Sequence, residues 1–174
     1  MIQSYEWIMS EANVWAAWTL RSHDALTAAV AEVMPPGLGP RDLAALTLLA
    51  AHEGCSADWL FARIGLTQSG TVRLIDRLER LGYVDRARRG RVLALGLTAA
   101  GRELLAAWTA ARDSAGEEVL DALTADERRQ LTELLSTALR RTPRARSVAD
   151  ATCRFCDWPA CSACPVDESV EASP

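Results

Sequence analysis

Residues 66–91 read LTQSGTVRLIDRLERLGYVDRARRGR, and this stretch decides the fold. Wound as a helix at about 100° per residue, Thr67–Leu81 divides into two faces. One face is apolar and contains Leu74, Ile75, Leu78 and Leu81. The opposite face is polar and basic and contains Ser69, Val72, Arg73, Asp76, Arg77 and Arg80. Most charged helix faces are only solvated, but this one also has the residue types that suit DNA.

A basic hairpin follows the helix. Val92–Leu97 can return as a strand, which makes Tyr83–Leu97 a hairpin with RARRGR at its tip. The net charge of −4 argues against a nucleic-acid binder when it is taken alone. Between Arg63 and Arg91, however, eight Arg face three acidic residues, a local charge of +5. This uneven distribution indicates a basic surface for DNA.

A short helix precedes the basic helix. Ser56 is a favourable N-cap for Ser56–Ile64, Gly65 ends that helix, and Thr67 caps the next one. A short helix, a tight turn with glycine and a second helix are typical of a helix-turn-helix. The sequence therefore predicts a mainly α fold, a helix-turn-helix with a two-stranded β-hairpin as its wing.

Longer helices flank this module. Apolar positions at helical spacing predict helices at Tyr5–Met34, Pro40–His52 and Ala99–Val119. A capping box of Thr124 and Glu127 starts a further helix, which runs to about Arg141. Because the central module can bury only some of these apolar stripes, a second copy of the chain is the simplest partner. We expect a dimerisation helix at 1–39, a DNA-binding module at 40–98, dimerisation helices at 99–142 and a cysteine-rich tail at 143–174.

Three motifs resemble a known family. They are SGTVRLIDRLERLGYV at 69–84, LTAAGRELL at 97–105 and LTADERRQLTELL at 123–135. Over about Tyr5–Arg141 the chain resembles the MarR family of winged-helix repressors. The resemblance implies a homodimer joined by its terminal helices, a roughly palindromic operator in double-stranded DNA, and often relief of repression by a small ligand or an oxidant. Family wings usually carry Asp-x-Arg in a longer loop, whereas RARRGR is compact.

The exposed face of the basic helix supplies the candidate DNA contacts. Gln68 and Ser69 lie at the helix start, where they can donate to or accept from base edges, and Arg73 is the first candidate for reading a base. Val72 is apolar on an exposed face, so a thymine methyl group is a plausible partner. We expect Asp76 to pair with Arg73 or Arg80. The candidate phosphate contacts are Arg77, Arg80, Arg86, Arg88, Arg89 and Arg91.

Four of the five cysteines fall within twelve residues of the tail. Cys153, Cys156, Cys161 and Cys164 form the pattern C-x2-C-x4-C-x2-C. We expect a cytoplasmic protein, because the chain has no long apolar run and no basic signal region at its N-terminus. Stable disulfides are disfavoured in the cytoplasm. Metal ligation is the leading interpretation. The pattern favours an iron–sulfur cluster over zinc, with a metal-free redox thiol set as the third alternative.

Tryptophans on the long helices are most often core residues. The alternative is a cavity for a small-molecule effector, lined by Trp15, Trp18 and Trp108 between the dimerisation helices and the DNA module. The sequence contains no nucleophile–base pair, no phosphate loop and no paired carboxylates that would indicate catalysis. We therefore expect neither an enzyme nor a membrane partner.

Two classes of function follow from the sequence. The first is a homodimeric transcription regulator, in particular a repressor, whose DNA affinity is set by the tail metal centre or by a small ligand. The second is a metal-tailed interaction or electron-carrying protein, in which the cysteine site is a structural clip and the helix-turn-helix is only scaffold. The basic face favours the first class.

Overall fold

The computed structural model of the protein describes residues 10–89 and 92–171. Helices surround one antiparallel two-stranded sheet, which confirms the predicted fold class. In chain order the elements are α1 (Glu11–Val33), α2 (Pro40–Ala51), α3 (Ala57–Ile64), α4 (Gln68–Arg80), β1 (Val84–Arg89), β2 (Val92–Leu97), α5 (Ala99–Leu120), α6 (Ala125–Arg140) and α7 (Arg146–Thr152). The first part of the predicted helix Tyr5–Met34 and the tip of the predicted hairpin lie outside the described residues.

Helix α2 is the centre of the DNA-binding module. Pro40 begins it, and Asp42 Oδ2 accepts a hydrogen bond from Gly39 N at 3.0 Å. All eight residues of 42–49 are buried, as expected of a helix that is apolar on nearly every side. The residues packed with α2 in the main core come from α3, α4 and both strands: Leu60, Ile64, Leu74, Ile75, Leu78, Val84, Leu95 and Leu97.

The helix-turn-helix has the predicted caps. Ser56 Oγ accepts a hydrogen bond from Trp59 N at 3.2 Å, and Thr67 Oγ1 accepts one from Gly70 N at 3.1 Å. Gly65 has a φ of 64°, a left-handed conformation that glycine adopts without steric cost, and it turns the chain from α3 into α4. One detail of the predicted apolar face was wrong: Leu81 is 50% exposed because α4 ends at Arg80 and Leu81 is its C-cap.

The hairpin is attached to the module through β2. Residues of β1 and β2 pair in register from Val84 with Leu97 to Arg89 with Val92. On its other edge, Leu95 N donates to Cys55 O at 3.0 Å and its carbonyl accepts from Gly54 N at 2.9 Å. These bonds attach the wing to the turn between α2 and α3, so the wing cannot swing independently of the helix-turn-helix.

The terminal helices pack unevenly. Ala29 and Val30 of α1 form a second core cluster with Leu43 and with Trp108 of α5. Helix α6, by contrast, has no fully buried residue within the chain. No helix in residues 10–89 and 92–171 has both the length and the apolar character to cross a membrane.

The tail contains helix α7, which the sequence pattern did not predict. Its buried residue Ala149 packs with Cys153 and Val166, and Leu139 of α6 covers this small cluster. Arg144 N donates to Ser169 O at 3.2 Å, which brings the end of the described chain back to the start of the tail. Helix α7 also packs on α3.

Close packing explains why a glycine stands at position 101, in the LTAAG motif. A Cβ atom added to Gly101 in the first turn of α5 would lie 2.2 Å from the Tyr83 carbonyl oxygen. We predict that Gly101→Ala lowers the free energy of unfolding by about 1–3 kcal/mol, because overpacking moves the backbone. In the same helix, a Cβ at Gly116 meets nothing within 4 Å, so Gly116→Ala should raise stability by up to about 1 kcal/mol. Urea unfolding measures both, and equal midpoints for Gly101→Ala and the unmodified protein would contradict the packing argument.

Candidate nucleic-acid interface and thiol cluster

The first turns of α4 present an exposed face with few internal partners. Ser69, Val72 and Arg73 are exposed, and Val72, an apolar residue, is 42% exposed. Gln68 is also exposed, and its Nε2 donates to Asp58 Oδ1 at 3.0 Å. Since the first turns of a recognition helix contact base edges, these residues lie where base reading requires them.

Arg77 is tied to the centre of the module. Its guanidinium forms an ion pair with Asp42, whose side chain is 5% exposed, while the Arg77 side chain is 41% exposed. The pair compensates a buried carboxylate and fixes α4 against the N-terminus of α2. Arg77 therefore has a structural role besides its predicted contact with phosphate.

Arg86 joins the wing to α4. Its Nη2 donates to Asp76 Oδ1 at 2.5 Å, and its Nη1 pairs with Glu79. The expectation that Asp76 pairs with Arg73 or Arg80 was wrong, because β1 carries the Arg86 guanidinium across to the helix. Only 22% of the Arg86 side chain is exposed, so most of it serves this joint.

The remaining basic residues lie on the outside where the structure describes them. Arg80 and Arg88 are exposed at the end of α4 and on β1. Arg89 belongs to β1, but its side chain is not among the described features, and Arg91 lies outside the described residues. Their phosphate contacts stay predictions.

The three tryptophans lie in different surroundings, and the cavity proposed for them stays a prediction. Trp15 is 69% exposed on α1, whereas Trp108 is 1% exposed and donates from Nε1 to Phe155 O at 3.3 Å. Trp18 lines a separate groove between α1, α5 and α6. A cavity of about 560 Å³ lies elsewhere, between α1, α2, α3 and the tail, and its polar lining includes three Arg: Arg41, Arg63 and Arg154. Sequence reasoning missed it, because its walls come from four separate segments.

The four tail thiols line a single cavity of about 270 Å³. Cys153 is buried, Cys164 is half-buried, and their Sγ atoms are 3.9 Å apart, whereas Cys156 and Cys161 are exposed. A hydrogen bond from Cys153 lowers the pKa of Cys156 to about 7, and the same bond, with burial, raises the pKa of Cys153. Burial raises the pKa of Cys161. The cluster thus contains a thiol that ionises near neutral pH.

The chemistry of this donor set fits a thiophilic metal. Four thiolates around one zinc ion, each at about 2.3 Å, lie about 3.8 Å apart, close to the spacing of Cys153 and Cys164. Within residues 10–89 and 92–171, no group of three or more His, Cys, Asp or Glu converges closely enough to hold an ion. Convergence therefore requires Cys156 and Cys161 to turn inward from their exposed positions.

A buried ion pair links the tail to the helix-turn-helix. Arg63 Nε of α3 donates to Asp150 Oδ2 of α7 at 2.6 Å, with side-chain exposures of 11% and 1%. The Trp158 ring packs edge-on against His52, with 5.0 Å between ring centroids. Burial lowers the pKa of His52, which favours the neutral ring. The sequence held no signal for the ion pair, because its partners are 87 positions apart.

Comparison with known proteins supports the same fold. The MarR family model matches residues 37–91. The matched segment is similar to the MarR family. It contains α2, the helix-turn-helix and β1, so the match confirms this part of the resemblance.

Solved structures of MarR-family proteins extend the likeness in fold. A MarR family protein of Mycobacterium tuberculosis, Rv2887 in complex with DNA, is 24% identical with a TM-score of 0.60, over 74% of this chain and 97% of that chain. Rv2887 in complex with p-aminosalicylic acid is 25% identical with a TM-score of 0.58, over 74% and 98%. The oxidized form of MarR from E. coli is 18% identical with a TM-score of 0.60, over 76% and 96%. No curated protein sequence matches the chain.

The Arg77–Asp42 pair predicts a stability difference between two arginines of α4. Arg77→Ala leaves the buried Asp42 carboxylate without its counter-charge, and we expect a loss of about 2–3 kcal/mol, below the full cost of a deeply buried pair because Arg77 is partly exposed. Arg80→Ala, on the exposed face, should change stability by less than about 0.5 kcal/mol. Urea unfolding without DNA measures both, and equal effects would show that the Asp42 pair does not stabilise the module.

Proposed function

We propose that the protein is a sequence-specific transcription regulator, a homodimeric repressor that binds a pseudo-palindromic operator in double-stranded DNA inside the cell. One observation carries the proposal: α4 exposes Ser69, Val72 and Arg73 on a helix-turn-helix whose wing is fixed beside it. A scaffold helix has no need of an exposed valine between a serine and an arginine, whereas a major groove offers each a partner.

The exposed basic residues divide into two roles. Arg73, close to the start of α4, reads a base edge, together with Gln68 and Ser69, and Val72 packs against a thymine methyl group. Arg80 and Arg88 lie farther out and bind phosphates, as do Arg89 and Arg91. Arg77 and Arg86 reach the backbone from positions set by their ion pairs with acidic residues.

Homodimerisation is supported by the apolar side chains left exposed on the terminal helices. On α1 these are Val14, Trp15 and Leu20, and on α6 they are Leu134 and Leu135. A second copy is the partner proposed for this surface, since α6 has no fully buried residue within one chain. In a two-fold dimer the two α4 helices then contact half-sites about one helical turn of DNA apart.

A small acidic effector is proposed for the cavity of about 560 Å³ between α1, α2, α3 and the tail. Arg41 and Arg154 supply positive charge at its wall, and Leu26 and Val30 supply apolar contact. The cavity touches both a dimerisation helix and the helix-turn-helix. A ligand there can therefore bias the relative placement of the two parts.

The tail thiols are proposed to bind a metal and to make regulation sensitive to metal or to oxidation. The 3.9 Å spacing of Cys153 and Cys164 supports a single zinc ion, and the C-x2-C-x4-C-x2-C pattern also suits an iron–sulfur cluster. The alternative function, a metal-tailed electron carrier or interaction protein, predicts no DNA binding on any sequence.

Two matched arginine variants test the proposal. Arg73→Ala should weaken binding to the operator by roughly 1–3 kcal/mol and relax base preference at one position of each half-site. Arg80→Ala should weaken binding on all sequences alike and reduce the slope of log affinity against log salt by about one phosphate. Competition binding against a base-substituted operator series measures both. An equal loss for Arg73→Ala on operator and random DNA would place that residue among the phosphate contacts, and no binding by the unmodified protein would reject the function.

A further inference from the structure

We propose that the tail thiols form a metal centre that sets operator affinity within its own subunit, by holding α3 through the Asp150–Arg63 ion pair. The inference rests on the proposed function, because its readout is operator binding. It adds the route by which the centre acts. That route runs to the helix-turn-helix of the same chain and does not require a rotation of the dimer.

The acidic partner of the pair lies directly beside the thiols. Asp150 occupies the last turn of α7, three positions before Cys153, and lines the same cavity as the four thiols. Its side chain is 1% exposed: Oδ2 accepts the bond from Arg63, and Oδ1 lies 3.6 Å from Arg146 Nη1 of the same helix. A carboxylate this buried stays in place only while α7 and the loop that carries the thiols stay packed.

The basic partner is fixed on α3. Arg63 Nη1 donates to Trp59 O at 2.9 Å, and the guanidinium lies 3.8 Å from the centroid of the Trp59 ring. Arg63 is in the last turn of α3, two positions before the left-handed Gly65 that starts the turn into α4. Any movement of this guanidinium therefore acts on the turn that orients α4.

A second contact leads from the thiol loop to the same helix. Trp158 lies between Cys156 and Cys161 in the chain, and its Nε1 donates to Cys153 O at 3.0 Å. Its ring contacts His52, whose own ring lies 4.4 Å from that of Trp59 between centroids. Both contacts thus end at Trp59 and Arg63 of α3, so the loop holds this helix from two sides.

The direction of the effect follows from the size of the tail helix. A seven-residue helix is unstable alone and depends on what is packed around it. Thiolate ligation ties Cys153, which caps α7, to Cys164 at the far end of the loop, and so stabilises α7 and the position of Asp150. Loss of the metal loosens the loop and weakens the pair with Arg63. The loaded protein therefore has the higher operator affinity.

The test uses the full-length protein in three forms. They are the metal-free protein under reducing anaerobic conditions, the protein loaded with Zn²⁺ alone, and the protein reconstituted with Fe²⁺ and sulfide. Metal analysis and operator titration are made on each. We expect one loaded form to bind the operator roughly tenfold more tightly than the metal-free form, within the usual range of coupling between sites. The form that loads distinguishes zinc from an iron–sulfur cluster.

Two carboxylate variants separate the route from other effects. Asp150→Asn should keep the metal content of the unmodified protein and lose the difference between loaded and metal-free affinity. Glu168→Gln is the control, because it removes an equal charge from the tail, from a carboxylate that pairs with Arg140 of α6. This control should keep the full difference. Arg63→Gln replaces Asp150→Asn if that variant does not fold, and it should also lose the difference.

Each failure has its own signature. Absence of stoichiometric metal after both loading treatments overturns the metal centre. Retention of the affinity difference in Asp150→Asn overturns the route through Arg63. A third measurement needs no variant: saturating operator DNA must tighten Zn²⁺ binding by the same factor by which Zn²⁺ tightens operator binding. In a protein that loads Zn²⁺, unchanged Zn²⁺ affinity would overturn the coupling. If no form binds DNA while the metal loads normally, the proposed function fails instead.

Discussion

The burial of α2 is the constraint on which the rest of the structure depends. Residues 42–49 are enclosed on every side, so α3, α4, the wing and α5 must each present an apolar surface to the same helix. That requirement leaves α4 only one face for solvent. The core therefore determines which residues of α4 lie on that face. Because these residues make few contacts inside the protein, they are candidates for DNA contact.

Arginine–carboxylate pairs then fix the joints around this core. Arg77 joins α4 to α2, Arg86 joins the wing to α4, and Arg63 joins α3 to the tail. Each pair has at least one partner that is largely withdrawn from solvent, where such a bond is directional and costly to break. Some arginines of the basic stretch are thus paired with carboxylates inside the protein, and a count of all its arginines overstates the positive charge available to DNA.

Local signals explain why so much of the fold was predictable. The caps Ser56 and Thr67, the turn at Gly65 and the apolar face of α4 are each encoded within a few residues, and the structure confirms them. Long-range pairing is not encoded in this way. Asp76 pairs with Arg86, which lies on a different element. Helix α7 has too few apolar residues to show a helical period, and its position depends on an ion pair with Arg63, far away in the chain. The three tryptophans differ widely in burial, with Trp15 69% and Trp108 1% exposed, because helix periodicity does not tell which helices meet. The DNA-contact and metal-ligand roles remain predictions from residue type and position.

The tail and the helix-turn-helix form one packed unit, and the central claim is that the thiol centre controls how firmly α3 is held. Hydrogen exchange of the α3 backbone amides, in the metal-loaded and the metal-free full-length protein, tests this claim most directly. The account predicts slower exchange along Ala57–Ile64 in the loaded form, with α1 unchanged. Equal exchange along α3 in both forms, with the metal content verified, would contradict it.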